Sequence, residues 1–121
     1  MSSVLNGLFK PLVEGAWIAL RRRWPHPGHA VSKTVNLRGA GAVEVDVECD
    51  FTGDTCLRTN LLTKMILDHC PPGSVTEIAT DNIASVETIP FMLPGHGCAH
   101  LATIRTETGW SIYVRKENTR K

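Results

Sequence analysis

Cys56 stands where sulfur chemistry is feasible. It closes the stretch Val45-Asp46-Val47-Glu48-Cys49-Asp50-Phe51-Thr52-Gly53-Asp54-Thr55-Cys56. Downstream, Leu57, Leu61, Leu62, Met65 and Ile66 recur at helical spacing, so the pattern predicts a helix from about Thr55 to His69, with Thr55 as its cap. A cysteine in the first turn of a helix meets unpaired backbone N–H groups and the positive end of the helix dipole, which favour a thiolate. That chemistry suits a nucleophile or a carrier of sulfur. A small, half-buried cysteine without chemistry is the plainer alternative.

The elements around Cys56 must hold it in place. Before it, Val43, Val45, Val47 and Cys49 alternate with Glu44, Asp46, Glu48 and Asp50, and this period of two predicts a strand over 43–50 with one dry face. Gly53 breaks the alternation. Cys49 is expected to face the core in phase with Val45 and Val47. Cys70, beside Pro71-Pro72-Gly73 at the helix end, reads as structural.

Other chemistry-bearing residues are weaker candidates. His96-Gly97-Cys98-Ala99-His100 resembles a metal cluster, and on a strand Cys98 and His100 would face one way. Two further ligands would be needed and no second cluster is evident, so no metal is expected. His26 and His29 lie in a Pro/Gly-rich stretch with no companion motif. The four cysteines are irregularly spaced and include no CxxC, which fits neither a disulfide framework nor a zinc ribbon. Phosphate loops, Ser/His/Asp signatures and paired-carboxylate motifs are missing from the sequence.

A length of 121 residues, 42% apolar and 21% charged, describes one domain with a modest core and an appendage. Charge is unevenly spread. Residues 1–42 carry a net +5 and residues 43–121 a net −4. The acidic domain argues against nucleic-acid binding. The basic leader suggests a partner of its own. Within it, Val4, Leu5, Leu8, Phe9, Leu12, Val13, Ala16, Trp17 and Leu20 form a helical stripe, interrupted by Pro11 and closed by Arg21-Arg22-Arg23-Trp24. Such a stretch is able to lie on a membrane surface, dock on a partner protein, or pack on its own domain. It does not read as a signal peptide, and no apolar run is long enough to span a bilayer.

Residues 1–42 are thus expected to form a helical, Pro/Gly-rich leader, with a short strand at most over Ser32–Leu37. Arg38-Gly39-Ala40-Gly41-Ala42 reads as a flexible joint. The domain over 43–121 follows in the order β-α-β-α-β-β. Its second strand is expected at 74–80 and its second helix after Asp81 or Asn82, with Pro90 shortening or bending that helix. The last two strands, 98–106 and 110–116, form a hairpin across Glu107-Thr108-Gly109. The expected fold class is α/β (α+β): a two-layer sandwich with a four-stranded mixed sheet and two helices on one face.

From Val45 to Lys116 the chain resembles the TusA-like sulfur-carrier family. The likeness rests on Asp50, Gly53 and Cys56, on Pro72-Gly73 after the first helix, and on Asp81 opening the second. Ile89-Pro90, Gly95-His96 and the terminal Tyr113-Val114-Arg115-Lys116 complete it. The resemblance implies the same two-layer fold. It implies a persulfide carried on Cys56, taken from a sulfur-donor protein and given to a sulfur-acceptor protein, with no metal or organic cofactor. The family's usual signature is Cys-Pro-x-Pro, whereas this chain reads Cys56-Leu57-Arg58-Thr59. Proline at the first helical position presets the backbone; Leu57 still forms helix and keeps one more N–H near the sulfur.

Two functional readings follow. In the first, Cys56 relays sulfur while Arg58 and the amides of the first helical turn stabilise its charge against Asp50 and Asp54. In the second, the domain keeps the fold without the chemistry, as an accessory subunit docked by residues 1–24 onto a membrane-associated or multi-subunit complex. Reduced cysteines imply a cytoplasmic setting, peripheral to the membrane if the leader meets lipid.

Overall fold

The computed structural model describes residues 28–39 and 41–117. The leader stripe over 3–23 lies outside the described residues. Five strands, β1 (His29–Leu37), β2 (Gly41–Asp50), β3 (Val75–Thr80), β4 (Cys98–Arg105) and β5 (Trp110–Lys116), form one sheet in the order β1-β2-β3-β5-β4. β2 and β3 run parallel and the other neighbours antiparallel. Two helices, α1 (Cys56–Asp68) and α2 (Ile83–Met92), occupy the crossovers, and a short 3-10 turn over Leu93–His96 follows α2. The α+β class and the mixed sheet agree with the pattern reading.

The sheet has five strands where four were expected. β1 lies inside the stretch assigned to the leader. Its Val31, Val35 and Leu37 alternate with polar residues, and Leu37 pairs with Gly41 where the antiparallel β2 begins. Gly39 at φ 89° and Gly41 at φ 77° adopt the left-handed backbone that a tight reversal needs.

β2 also departs from the single dry face. Val47 and Cys49 join a core cluster beneath the helices, together with Phe51, Leu62, Ile66, Leu67, Ile78, Ile89, Ile112 and Val114. Val43 and Val45 join a second cluster with Leu37, Val75 and Tyr113. The change comes at Asp46. There the β1–β2 register shifts between Ala30 and Lys33, and pairing with β3 begins only at Val47. The Asp46 carboxylate accepts the Val75 amide at 2.9 Å in place of a sheet partner. Alternation in sequence cannot reveal a slip that two neighbouring strands create.

The helix-side core anchors α1. Leu62, Ile66 and Leu67 are buried with Thr59 and Thr63; full burial of each such aliphatic chain contributes about 1.5–3 kcal/mol. The far end of α1 is held by Lys116, 2% exposed, whose Nζ donates to the Leu67 carbonyl at 2.8 Å. A cation there complements the negative end of the helix. At α2, the Asn82 side chain accepts from the Ala84 amide at 2.9 Å and is the cap. Pro90 sits within α2, which ends two residues later at Met92. Gly109 lies so close to the end of β3 that a Cβ there would stand 2.8 Å from the Asp81 Cα and collide with the Thr80 carbonyl.

On the face away from the helices, Glu48, Glu77 and Tyr113 line up across β2, β3 and β5. Lys33 Nζ donates to Glu48 at 2.5 Å and to Glu77 at 2.7 Å, and the Tyr113 hydroxyl donates to Glu77. His29 stands 3.3 Å from Glu48. Burial and the Glu77 carboxylate push the Tyr113 hydroxyl up to about 12.

Candidate functional site

β2 delivers the chain to a compact turn before α1. Phe51 is fully buried, and its carbonyl accepts the Asp54 amide at 2.9 Å. The Asp50 carboxylate accepts the Thr52 amide at 2.9 Å, and hydrogen bonding from Thr52 holds the Asp50 carboxyl below its usual range. Gly53, at φ 89°, donates its amide to Asp81 at 3.1 Å and so ties the turn to the start of α2. The Asp-to-Gly spacing upstream of the thiol therefore shapes the turn, and Asp81 braces it from the neighbouring crossover.

α1 begins at Cys56, with Thr55 extended just before it. Thr55 Oγ1 accepts the Arg58 amide at 3.2 Å, and the Thr55 carbonyl accepts the Thr59 amide at 3.0 Å. This is the predicted cap, which contributes about 1 kcal/mol. Cys56 is half-buried at the first helical position. Next to it Leu57 is 78% exposed and, one turn on, Leu61 is 47% exposed. The sulfur thus sits beside apolar side chains that face water.

Two polar side chains flank the thiol. Arg58 Nε lies 3.5 Å from Asp54 Oδ1, so the guanidinium and the acid that precedes the cysteine form an ion pair at the helix start. The sequence also left Asn60 unnoticed: its Nδ2 donates to Cys56 Sγ at 3.3 Å. The available signal was the i, i+4 spacing, which brings position 60 over position 56 on one helix face. An amide N–H aimed at sulfur strengthens when the sulfur carries charge.

The other three thiols are shut in. Cys49 is wholly buried, and burial raises its thiol well above the usual value. Burial pushes Cys70 up to about 11 and raises Cys98 as well, with Lys116 partly offsetting both. Cys70 Sγ donates to the Ile66 carbonyl at 3.3 Å and Cys98 Sγ to the His96 carbonyl at 3.4 Å. Buried, with thiols raised by that burial, these three sulfurs are core residues. All four cysteines are free.

The His96–His100 segment does not converge on a common point. His96 Nδ1 is 3.0 Å from Asp68 Oδ1, and His100 Nε2 is 2.7 Å from Thr103 Oγ1. Cys98 is buried while His100 is exposed. Among the described residues no group of three or more His, Cys, Asp or Glu side chains is placed to hold a metal ion. Among them, too, no helix is long and apolar enough to cross a membrane.

Fold and site together define a small two-layer α+β protein that offers a single reachable thiol from the start of a helix. The model of the family described as Sulfurtransferase TusA matches residues 47–116, from the middle of β2 to the end of β5. The chain belongs to this family of sulfur carriers, which work with sulfur-donor and sulfur-acceptor proteins. Comparison with curated proteins returns no match.

Proposed function

We propose that this protein relays persulfide sulfur on Cys56 between a donor and an acceptor protein. One observation carries the reading: of four thiols, three are sealed in the core and Cys56 alone is accessible, at a capped helix start beneath the Asn60 amide. The Cys56 thiolate attacks the terminal sulfur of a donor persulfide. A new S–S bond forms at Cys56, the donor's S–S bond breaks, and the donor sulfur leaves as a thiolate. The acceptor's nucleophile then takes the terminal sulfur, and Cys56 leaves as a thiolate. No electrons are gained or lost overall, and no cofactor enters.

The amides of the first turn and the Asn60 N–H are the groups that meet the charge on Cys56. Arg58, 3.5 Å from Asp54, offsets the charge of that acid at the helix start. Leu57 and Leu61 give a partner protein an apolar foothold next to the thiol.

Incubation with a persulfide donor, read by intact-mass spectrometry, tests the proposal. The expected result is a gain of one sulfur atom in the native chain and none in Cys56→Ser. Equal loading of the two proteins would overturn the assignment to Cys56. A folded chain that never loads would favour the accessory-subunit reading.

A further inference from the structure

Each face of the sheet carries a buried apolar cluster, yet the described helices cover only one face. On the helix-free face Val45 is 0%, Val75 4% and Tyr113 5% exposed. Leu37 and Val43 complete this cluster, and Val31, Val35, Leu101 and Ala102 pack against it. Every one of these residues lies on a strand. The central strands carry continuous buried runs, Val75–Ile78 in β3 and Ser111–Val114 in β5. Strands buried on consecutive residues have a layer over each side, because neighbouring side chains point to opposite faces. One of those layers is α1 and α2. The other is not among the described residues.

We propose that residues 3–23 of this chain form the second layer, lying as a helix across the face that carries Val45, Val75 and Tyr113. Their apolar residues, from Val4 to Leu20, repeat at helical spacing and supply a stripe wide enough to cover a sheet. The dimensions agree. Twenty-one helical residues extend about 31 Å, and strands of up to ten residues at about 3.3 Å each are equally long. The tether also fits. Only residues 24–27 separate the stripe from Gly28, which is buried, and from β1, and four extended residues reach about 13 Å. That connection enters where His29 stands opposite Glu48. Arg21, Arg22 and Arg23, at the near end of the stripe, are thus held close to a face where two carboxylates, Glu48 and Glu77, share one lysine, Lys33. The arrangement gives the sandwich a third layer and leaves the Cys56 end of α1, on the opposite face, open to partner proteins. It commits the leader to its own domain and away from lipid.

Tryptophan fluorescence of the full chain tests this. With Trp24→Phe and Trp110→Phe in place, Trp17 is expected to emit as a buried indole in the lipid-free monomer. Acrylamide should quench it severalfold less than in the urea-unfolded chain. A folded protein whose Trp17 is quenched as easily as in urea overturns the proposal. So does shielding that appears only with phosphatidylglycerol vesicles, or only at concentrations where light scattering reports a dimer. As a second measurement, Leu8→Asp with Leu12→Asp should speed amide exchange over residues 31–45 about tenfold while exchange in α1 stays unchanged. Unaltered exchange over 31–45 also overturns the proposal. If that variant unfolds globally, the Trp17 quenching decides.

Discussion

Selective alkylation separates Cys56 from the other three thiols, and the size of the separation follows from burial. The perturbation is a small amount of iodoacetamide added to the native chain and, in parallel, to the chain in urea. At a pH of about 7.5, a thiol pushed up to about 11, as Cys70 is, is ionised to roughly 3 parts in 10,000, against about 9% for a thiol at the ordinary value of about 8.5. Folding therefore removes about 300-fold of the Cys70 thiolate. The more basic thiolate is the better nucleophile, which returns about tenfold and leaves a net slowing of about 30-fold. Access multiplies this, because reagent reaches a core thiol only when the core opens, and each ~1.4 kcal/mol of opening free energy slows the reaction by a further tenfold. Cys49, wholly buried, and Cys98, nearly so, should be slowed in the same sense. Peptide mass spectrometry after quenching reads each site separately. One label per native chain is expected, on Cys56. Modification of Cys49, Cys70 or Cys98 in the native chain within tenfold of its rate in urea would show that the thiols assigned to the core are available for chemistry, and burial would not separate them from Cys56.

Two further outcomes follow from the same geometry. Asn60→Ala removes the N–H that faces Cys56 Sγ at 3.3 Å, so transfer of sulfur from a small-molecule persulfide to the chain should slow about tenfold, the loss of one hydrogen bond to a charged sulfur; stopped-flow loading with the melting temperature as control reads it, and an unchanged rate would remove Asn60 from the site. Lys33→Met takes the cation from between Glu48 and Glu77 and should cost about 1–2 kcal/mol near neutral pH, a figure reduced because Lys33 is partly exposed. Lys33 holds the Glu48 carboxyl below its usual range, so the stability it provides is present above the unfolded carboxyl value of about 4.3 and is lost as pH falls through the lower folded value. The Lys33 ammonium is itself raised, so its share is present below its unfolded value of about 10.4 and is lost only as pH rises through a still higher folded value. The stability gap between wild type and variant, measured by urea unfolding, should stay level from about pH 6 to 9 and close below about pH 4; a gap that widens in acid would contradict the ion-pair assignment.

The local elements around the thiol were legible in the order of residues. Alternation marked β2, helical spacing marked α1, and Thr55 was readable as the cap because a short hydroxyl side chain before an apolar helical run has one obvious use: its oxygen accepts the Arg58 amide. The turn residues Gly53, Pro72-Gly73 and Gly109 set the remaining boundaries to within a residue or two, since backbone reversals restrict residue type strongly. The order of the last four strands and two helices was legible for the same reason, and so was a place for Cys56 at or next to the first turn of α1; its exact position as the first helical residue came from the structure.

What neighbours across the sheet do to one another emerged only on folding. The strand at 29–37 is weak as a local pattern and becomes β1 only because β2 offers an edge to pair with. The slip at Asp46, which sends Val43 and Val45 to one cluster and Val47 and Cys49 to the other, comes from two strands adjusting register, and a single strand's alternation holds no trace of it. The sorting of four equivalent cysteine letters into three sealed thiols and one accessible thiol is likewise a property of packing. Burial sets both the reach of a reagent and the cost of charge, and burial exists only once the chain has closed on itself.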